Sequence, residues 1–241
     1  MKAVVLAGGR GSRLAPYTKI LPKPLMPIGD MPILEIILLQ LKAAGISDIV
    51  LTVGHLSELL YAFFRNGSQF GINITYSYEE QPLGTAGPIA LVNGLDETFL
   101  VTNGDVLTTL DLRDLIRFHR EQKASVSIAA HYRQSKIDLG VIQKDGDYRI
   151  TGYIEKPTYD FLVSMGIYVF EPTVLSWITR EQYLDFPNLI KKLLDAGEKV
   201  VAYPFDGYWE DLGRPDDYER ASRDFEKMRA QFLSESVEAR L

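Results

Sequence analysis

Residues 6–25 read LAGGRGSRLAPYTKILPKPL and follow directly on a short apolar strand at 2–6. Gly8, Gly9 and Gly11 remove side chains where the backbone turns sharply and comes close to a ligand. Successive N–H groups in such a turn form a concave anion cradle. Arg13 and Lys23 add full positive charges, the first as a bidentate fork and the second as a compact point charge. Pro22 and Pro24 flank Lys23 and stiffen the backbone that aims it, which favours a bound phosphate over a solvated surface pair. A strand feeding such a turn constrains the chain to an α/β fold with a polyphosphate at the strand's end.

The rest of the first half supports that fold class. Apolar runs at 3–6, 49–53, 72–76 and 98–102 alternate with helical patterns at 33–44, 56–64, 85–92 and 112–122. This alternation predicts βαβ units and a mainly parallel sheet, with ligands beyond its C-terminal edge. The second half predicts strands at 126–132, 140–143, 150–155, 165–170 and 199–203, a turn at 144–147, and a helix at 187–196. Residues 214 to about 234 are charged and amphipathic, and Pro215 and Asp216 mark their start.

At 241 residues and 46% hydrophobic content the chain can bury a sizeable core. No repeat or linker divides it, so 1–241 is expected to be a single domain. It lacks a run of about 18 apolar residues, and its N-terminus enters a strand without a basic leader. A cytoplasmic protein that does not span a membrane is therefore expected. The absence of cysteine excludes disulfides and thiolate metal sites, and the net charge of -6 argues against a nucleic-acid partner. No P-loop and no Gly-x-Ser-x-Gly elbow is present. His55, His119 and His131 are scattered, and His119 is expected on the surface of a helix.

The blocks Leu6-Ala7-Gly8-Gly9, Gly11, Arg13-Leu14, Pro16, Thr18, Pro22-Lys23-Pro24-Leu25 and Pro27-Ile28 resemble the opening of the sugar-1-phosphate nucleotidyltransferase (NDP-sugar pyrophosphorylase) family. The resemblance continues in family order through Leu83-Gly84-Thr85-Ala86, Asn103-Gly104-Asp105, Glu155-Lys156-Pro157, Gly166-Ile167-Tyr168 and Trp209-Glu210-Asp211-Leu212-Gly213, nearly the length of the chain. It is most like mannose-1-phosphate guanylyltransferase-like members without a C-terminal β-helix domain. The resemblance implies a Rossmann-like three-layer α/β domain with a mixed, mainly parallel sheet. Its nucleotide half would span about 1–122, its sugar-phosphate half about 123–213, and its C-terminal helix 214–241.

Carried onto this sequence, the family pattern assigns Arg13, Lys23 and Asp105 to catalysis. It assigns Leu6, Ala7, Gly8, Gly9, Gly11, Ser12, Arg13, Lys23, Gly84, Thr85, Asn103 and Gly104 to the nucleotide, with Gln81 nearby as an amide reader of the base. Thr85 is also suited to cap the helix that follows it. Gly140, Glu155, Lys156 and Gly166 would meet the sugar phosphate, while Ser164-Met165 depart from the family pattern ahead of Gly166 and leave the sugar open. Asp105 and Asp211 would hold Mg²⁺ against the phosphates, a cation satisfied by one or two carboxylates plus phosphate oxygens and water. Glu210 is the neighbour that competes with Asp211, and the motif favours Asp211.

The implied reaction joins a nucleoside triphosphate to a sugar 1-phosphate, giving NDP-sugar and pyrophosphate. The attacking phosphate monoester has a second pKa of about 6 and needs no activated side chain. GTP with mannose 1-phosphate or a related sugar such as a heptose is the first expectation. Thymidylyl-, uridylyl- or cytidylyl-transfer to a hexose 1-phosphate stays open, as does cytidylyl-transfer to an alditol or choline phosphate. A catalytically silent NDP-sugar-sensing subunit also stays open, although it should have lost one of the charged residues. The C-terminal segment leaves a homodimer or higher homo-oligomer open.

Overall fold

The computed structural model describes residues 1–233; the last part of the expected C-terminal helix, 234–241, lies outside them. In β1 (Lys2–Leu6), Ala3, Val4 and Val5 are fully buried, as befits a central strand covered on both faces. The short pair β2 (Pro27–Ile28) and β3 (Met31–Pro32) leads into α1 (Ile33–Ala43). The first half is completed by β4 (Asp48–Val53), α2 (Ser57–Phe64), β5 (Asn73–Tyr78), β6 (Phe99–Asn103), β7 (Val106–Thr108) and α3 (Leu112–Gln122). The second half holds β8 (Val126–Lys136), β9 (Val141–Lys144), β10 (Ile150–Ile154), β11 (Thr158–Phe170), α4 (Phe186–Asp195), β12 (Val200–Phe205), β13 (Trp209–Asp211) and α5 (Pro215–Phe232).

Seven strands form one sheet in the order β12-β8-β11-β6-β1-β4-β5, all parallel to their neighbours except β11. The expected mixed, mainly parallel α/β architecture is therefore present. Alternate residues feed two apolar clusters on opposite faces: Ala3, Val5, Ile49, Leu51 and Leu100 on one, Val4, Val50, Phe99 and Val101 on the other. α1 buries Ile33, Leu34, Ile36, Ile37, Leu38, Leu39 and Leu41. A helix so nearly apolar all round belongs inside the layer packing, where a Leu-to-Ala change costs about 2–5 kcal/mol. The chain leaves β1 for β4 on one side and later enters β6 on the other. That reversal makes a topological switch point at the tip of β1.

Several expectations are corrected. Residues 85–92 hold a short 3-10 turn, Gly87–Leu91, rather than a regular helix. β8 and β11 run well past 132 and begin well before 165; their extra residues pair mainly with each other and are mostly exposed, so no apolar alternation announces them. His119 is 1% exposed, not on the surface. Its Nδ1 meets Ser127 Oγ at 2.8 Å and its Nε2 meets Glu171 Oε1 at 3.1 Å, so it ties α3 to β8 and the end of β11. Burial holds its pKa below the ordinary imidazole value, partly offset by Glu171. Among the described residues no helix is long and apolar enough to cross a membrane.

Candidate active site

The register levels the strand tips: Leu6 of β1 stands opposite Thr52 of β4 and Asn103 of β6. Beyond these tips the loop after β1 doubles back. Gly11 adopts φ +59, where an added Cβ would come within 2.9 Å of Thr18, and Thr18 Oγ1 donates to the Gly11 carbonyl at 2.8 Å. A Gly is needed there for both conformation and space. Lys23 opens a 3-10 turn between its two prolines and is nearly buried, at 7% exposure. A buried ammonium requires a counter-charge, and Lys23 has two. Its Nζ is ion-paired to Asp105 Oδ2 and lies 3.9 Å from Asp211 Oδ1.

Asp211 reaches this point through a strand pair that the sequence reading did not contain. β7 and β13 pair antiparallel with Asp211 opposite Val106, and the Leu212 N–H donates to the Asp105 carbonyl at 3.2 Å. Successive residues of β13 face opposite ways. Glu210 turns to a bidentate contact with Arg220 of α5, at 3.0 and 2.7 Å, while Asp211 faces the cleft. Arg13 closes the group: a Cβ at Gly213 would lie 3.0 Å from Arg13 Nη1 and 3.2 Å from Asp211 Oδ2. Burial, and then the Asp105 charge, push the Asp211 carboxyl above the ordinary value, against the pull of Lys23 and Arg13.

A cleft of about 750 Å³ opens over the strand tips, lined among others by Leu6, Gly8, Gly9, Arg13, Gln81, Gly84, Thr85, Asn103, Asp105 and Asp211. A smaller cavity of about 250 Å³ shares Leu6, Gly9, Arg13 and Asp105 with it and adds Ala7, Gly11, Ser12, Lys23 and Gly104. The expected phosphate, base and metal residues thus converge. Gly166 joins them at φ +76 in a bulge of β11, where a Cβ would press on the Asn103 amide 2.5 Å away. Gly166 itself, Gly140, Glu155 and Lys156 line neither cavity. Gly140 packs against the Tyr153 ring, and Tyr153 Oη donates to Glu155 Oε2 at 3.2 Å, so Gly140 and Glu155 meet on Tyr153 at the β9–β10 hairpin.

The cleft also contains residues that the sequence reading missed: Arg10, His55, Glu79, Glu80, Tyr183 and Asp185. Asp185 Oδ1 accepts from the Thr85 N–H at 2.9 Å and from its hydroxyl at 3.2 Å, and Tyr183 Oη donates to Asp185 Oδ2 at 2.6 Å. Gly84, at φ +79, lets this turn close; a Cβ would stand 2.6 Å from the Leu184 carbonyl oxygen. Thr85 is a cap, but not of the turn that follows it: the Phe186 N–H at the start of α4 donates to Thr85 Oγ1 at 2.9 Å. Only long-range packing makes these contacts, although Gln-Tyr-Leu-Asp-Phe-Pro at 182–187 carries the Asp-then-Pro signal of a helix start.

The sequence profile of the nucleotidyl transferase family matches residues 2–228. The chain belongs to this family. It is 37% identical over 232 residues to the mannose-1-phosphate guanylyltransferase of Mycobacterium tuberculosis, covering 92% of this chain and 64% of that protein. It is 35% identical over 243 residues to the UTP–glucose-1-phosphate uridylyltransferase of Synechocystis, covering 92% of this chain and 63% of the relative. The chain therefore spans a little under two thirds of the length of these relatives. A solved Bacillus anthracis protein, named as a glucose-1-phosphate thymidylyltransferase, superposes with TM-score 0.75 at 27% identity, covering 92% of this chain and 94% of its own. In this member of the nucleotidyl transferase family the strand-tip cleft is the candidate active site.

The donor set of that cleft suits a divalent cation. Two carboxylates, Asp105 from the turn between β6 and β7 and Asp211 from the end of β13, stand close enough for the first to raise the pKa of the second, a repulsion that a cation between them relieves. Among the described residues no group of three or more His, Cys, Asp or Glu side chains surrounds one point.

Proposed function

We propose that the chain is a sugar-1-phosphate nucleotidyltransferase, joining GTP to mannose 1-phosphate or a related sugar 1-phosphate such as a heptose phosphate, with release of pyrophosphate. The observation that carries this reading is the meeting of Lys23 with Asp105 and Asp211 beneath the glycine-rich loop, with Arg13 alongside. The obstacle to this reaction is bringing two polyanions together, and positioning with charge neutralisation supplies most of its catalysis. Leu6, Ala7, Gly8, Gly9, Gly11 and Ser12 present backbone to the triphosphate. Arg13 and Lys23 neutralise its oxygens, and Asp105 orients them. Gln81, Gly84, Thr85, Asn103 and Gly104 surround the nucleoside.

Gly140, Glu155, Lys156 and Gly166 serve the sugar phosphate, Lys156 meeting its phosphate and Glu155 a hydroxyl. These assignments divide the chain into a nucleotide half of about 1–122 and a sugar half of about 123–213. Asp105 and Asp211 would hold Mg²⁺, which when bound supplies Lewis-acid stabilisation of phosphate charge. The dianionic sugar phosphate attacks the α-phosphorus in line as the bond to pyrophosphate breaks, so no Ser, His or Cys nucleophile is required. We place the enzyme in the cytoplasm, as a homodimer or higher homo-oligomer.

The 37% identity to a mannose-1-phosphate guanylyltransferase favours GTP and mannose 1-phosphate. A second reading, uridylyl- or thymidylyl-transfer to a hexose 1-phosphate, is favoured by the names of the Synechocystis and Bacillus proteins. A matrix of nucleoside triphosphates against sugar 1-phosphates, read by pyrophosphate release with Mg²⁺, decides between them. Turnover should be greatest for GTP with mannose or heptose phosphate. No release from any pair would overturn the enzymatic reading.

A further inference from the structure

Glu79 lies just past β5, two strands from β1 on the side opposite β6, and lines the cleft. Its carboxylate rests on bare backbone: Oε1 occupies the space a Cβ at Gly8 would take and would stand 3.1 Å from one at Gly54, at the tips of β1 and β4. Oε2 accepts the Leu83 N–H at 3.2 Å. Among the described residues no lysine, arginine or histidine forms an ion pair with it. Burial pushes its pKa above the ordinary carboxylate value, only partly offset by that N–H. A half-buried anion without a counter-ion is an electrostatic liability in a site for a polyphosphate, unless the ligand itself brings donors to it.

The base is the part of a nucleoside triphosphate that can do so. Guanine presents two adjacent donors on its Watson–Crick edge, N1–H and N2–H, matched to the two oxygens of a carboxylate. Uracil and thymine present a single N3–H between two carbonyls, which would face the carboxylate oxygens repulsively. Adenine and cytosine pair one amino donor with a ring-nitrogen acceptor. We infer that Glu79 is the specificity-determining residue of the cleft and that it selects guanine by accepting from N1–H and N2–H together. This rests on the reading of the cleft as the nucleotide site. Gln81 is exposed, whereas Glu79 is half-buried against the strand tips, so Glu79 is the better placed of the two to discriminate.

Equilibrium binding tests this without turnover. GTP, ITP (which keeps N1–H but lacks the 2-amino group) and UTP are titrated calorimetrically, with Mg²⁺, into wild type and Glu79→Gln. Glutamine retains an oxygen to accept the Leu83 N–H. Wild type should bind GTP on the order of 10-fold or more tighter than ITP, the scale of a charge-assisted hydrogen bond. Glu79→Gln should lose about 10- to 100-fold for GTP, bring GTP and ITP together, and leave UTP unchanged or improved. Equal binding of GTP and ITP by wild type would overturn the inference even if the variant failed to fold. An equal loss for every nucleotide in Glu79→Gln would assign the carboxylate to the ribose or to the loop instead. Selective GTP binding without pyrophosphate release would sink the transferase reading and leave this one standing. Turnover with a nucleotide other than GTP, and no preference for GTP over ITP, would do the reverse.

Discussion

Asp105 and Asp211 share one ammonium. Lys23 is ion-paired with the first and lies 3.9 Å from the second, and the backbone joins the same two residues where the Leu212 N–H meets the Asp105 carbonyl. The three residues come from the turn after the glycine-rich loop, the segment between β6 and β7, and the end of β13. A short antiparallel pair thus delivers the second carboxylate to the first.

Asp105→Asn keeps the shape and one acceptor oxygen but removes the charge that Lys23 neutralises. Pyrophosphate release should fall by about 10²–10³-fold, the scale of losing one electrostatic contact to a transition state. The circular dichroism spectrum should match wild type. Full Mg²⁺-dependent activity in the variant would remove Asp105 from the mechanism.

Lys156→Ala separates the two substrates. Lys156 is exposed near the β9–β10 hairpin and lines neither cavity, so its loss should leave nucleotide affinity within about twofold, as for a surface charge. The KM for sugar 1-phosphate should rise on the order of 10-fold, the worth of one charge-assisted contact. Steady-state kinetics with each substrate varied in turn make the comparison. An unchanged sugar-phosphate KM would detach Lys156 from that site.

Asp211 links function to stability. Its folded pKa is raised, by burial first and by Asp105 second, so its ionised form is less favourable in the fold than in the unfolded chain. The penalty begins as pH rises past the ordinary carboxylate value of 3.8, grows up to the raised one, and is constant above it. In metal-free buffer at pH 7 to 8, Asp211→Asn should therefore melt higher than wild type by on the order of 1–3 °C while losing turnover. Solvent screening of a half-exposed side chain keeps the gain small. Scanning calorimetry at several pH values should show the gain vanish towards pH 4. A lower melting temperature at every pH would contradict the stated electrostatics.

Thr85 caps α4 from a distant loop, through its hydroxyl to the Phe186 N–H, and accepts no substitute from Asp185, whose side chain forms no cap bond to that helix. Thr85→Ala should cost about 1 kcal/mol, the usual worth of a cap, and Thr85→Ser should restore most of it. Urea unfolding measures both. Equal stability of Thr85→Ala and wild type would mean that the contact is not a stabilising one.

The parts of the site that were legible are the local ones. The glycine-rich turn, the stiffened Lys23 and the strand-end Asp105 announce themselves within a few residues, because backbone conformation and nearest neighbours define them. Asp211 is legible only through family resemblance, since nothing near it in the chain reveals its pairing with Val106. Thr85 was legible as a cap but not as the cap of α4. His119 sits in a charged helical pattern that reads as surface, because Ser127 of β8 and Glu171 just past β11, which it meets, are distant in the chain.

By itself the sequence determined the alternation of strand and helix, the apolar two-sided strands and the anion-binding turn, because periodicity, steric freedom at glycine and fixed proline geometry act over short distances. Tertiary structure decided which groups meet: Lys23 between two aspartates, Asp185 on Thr85, and Glu79 against the glycine backbones of two strand tips. The reason is that burial and charge neutralisation depend on what the sheet brings together from distant segments, and no local pattern encodes that distance.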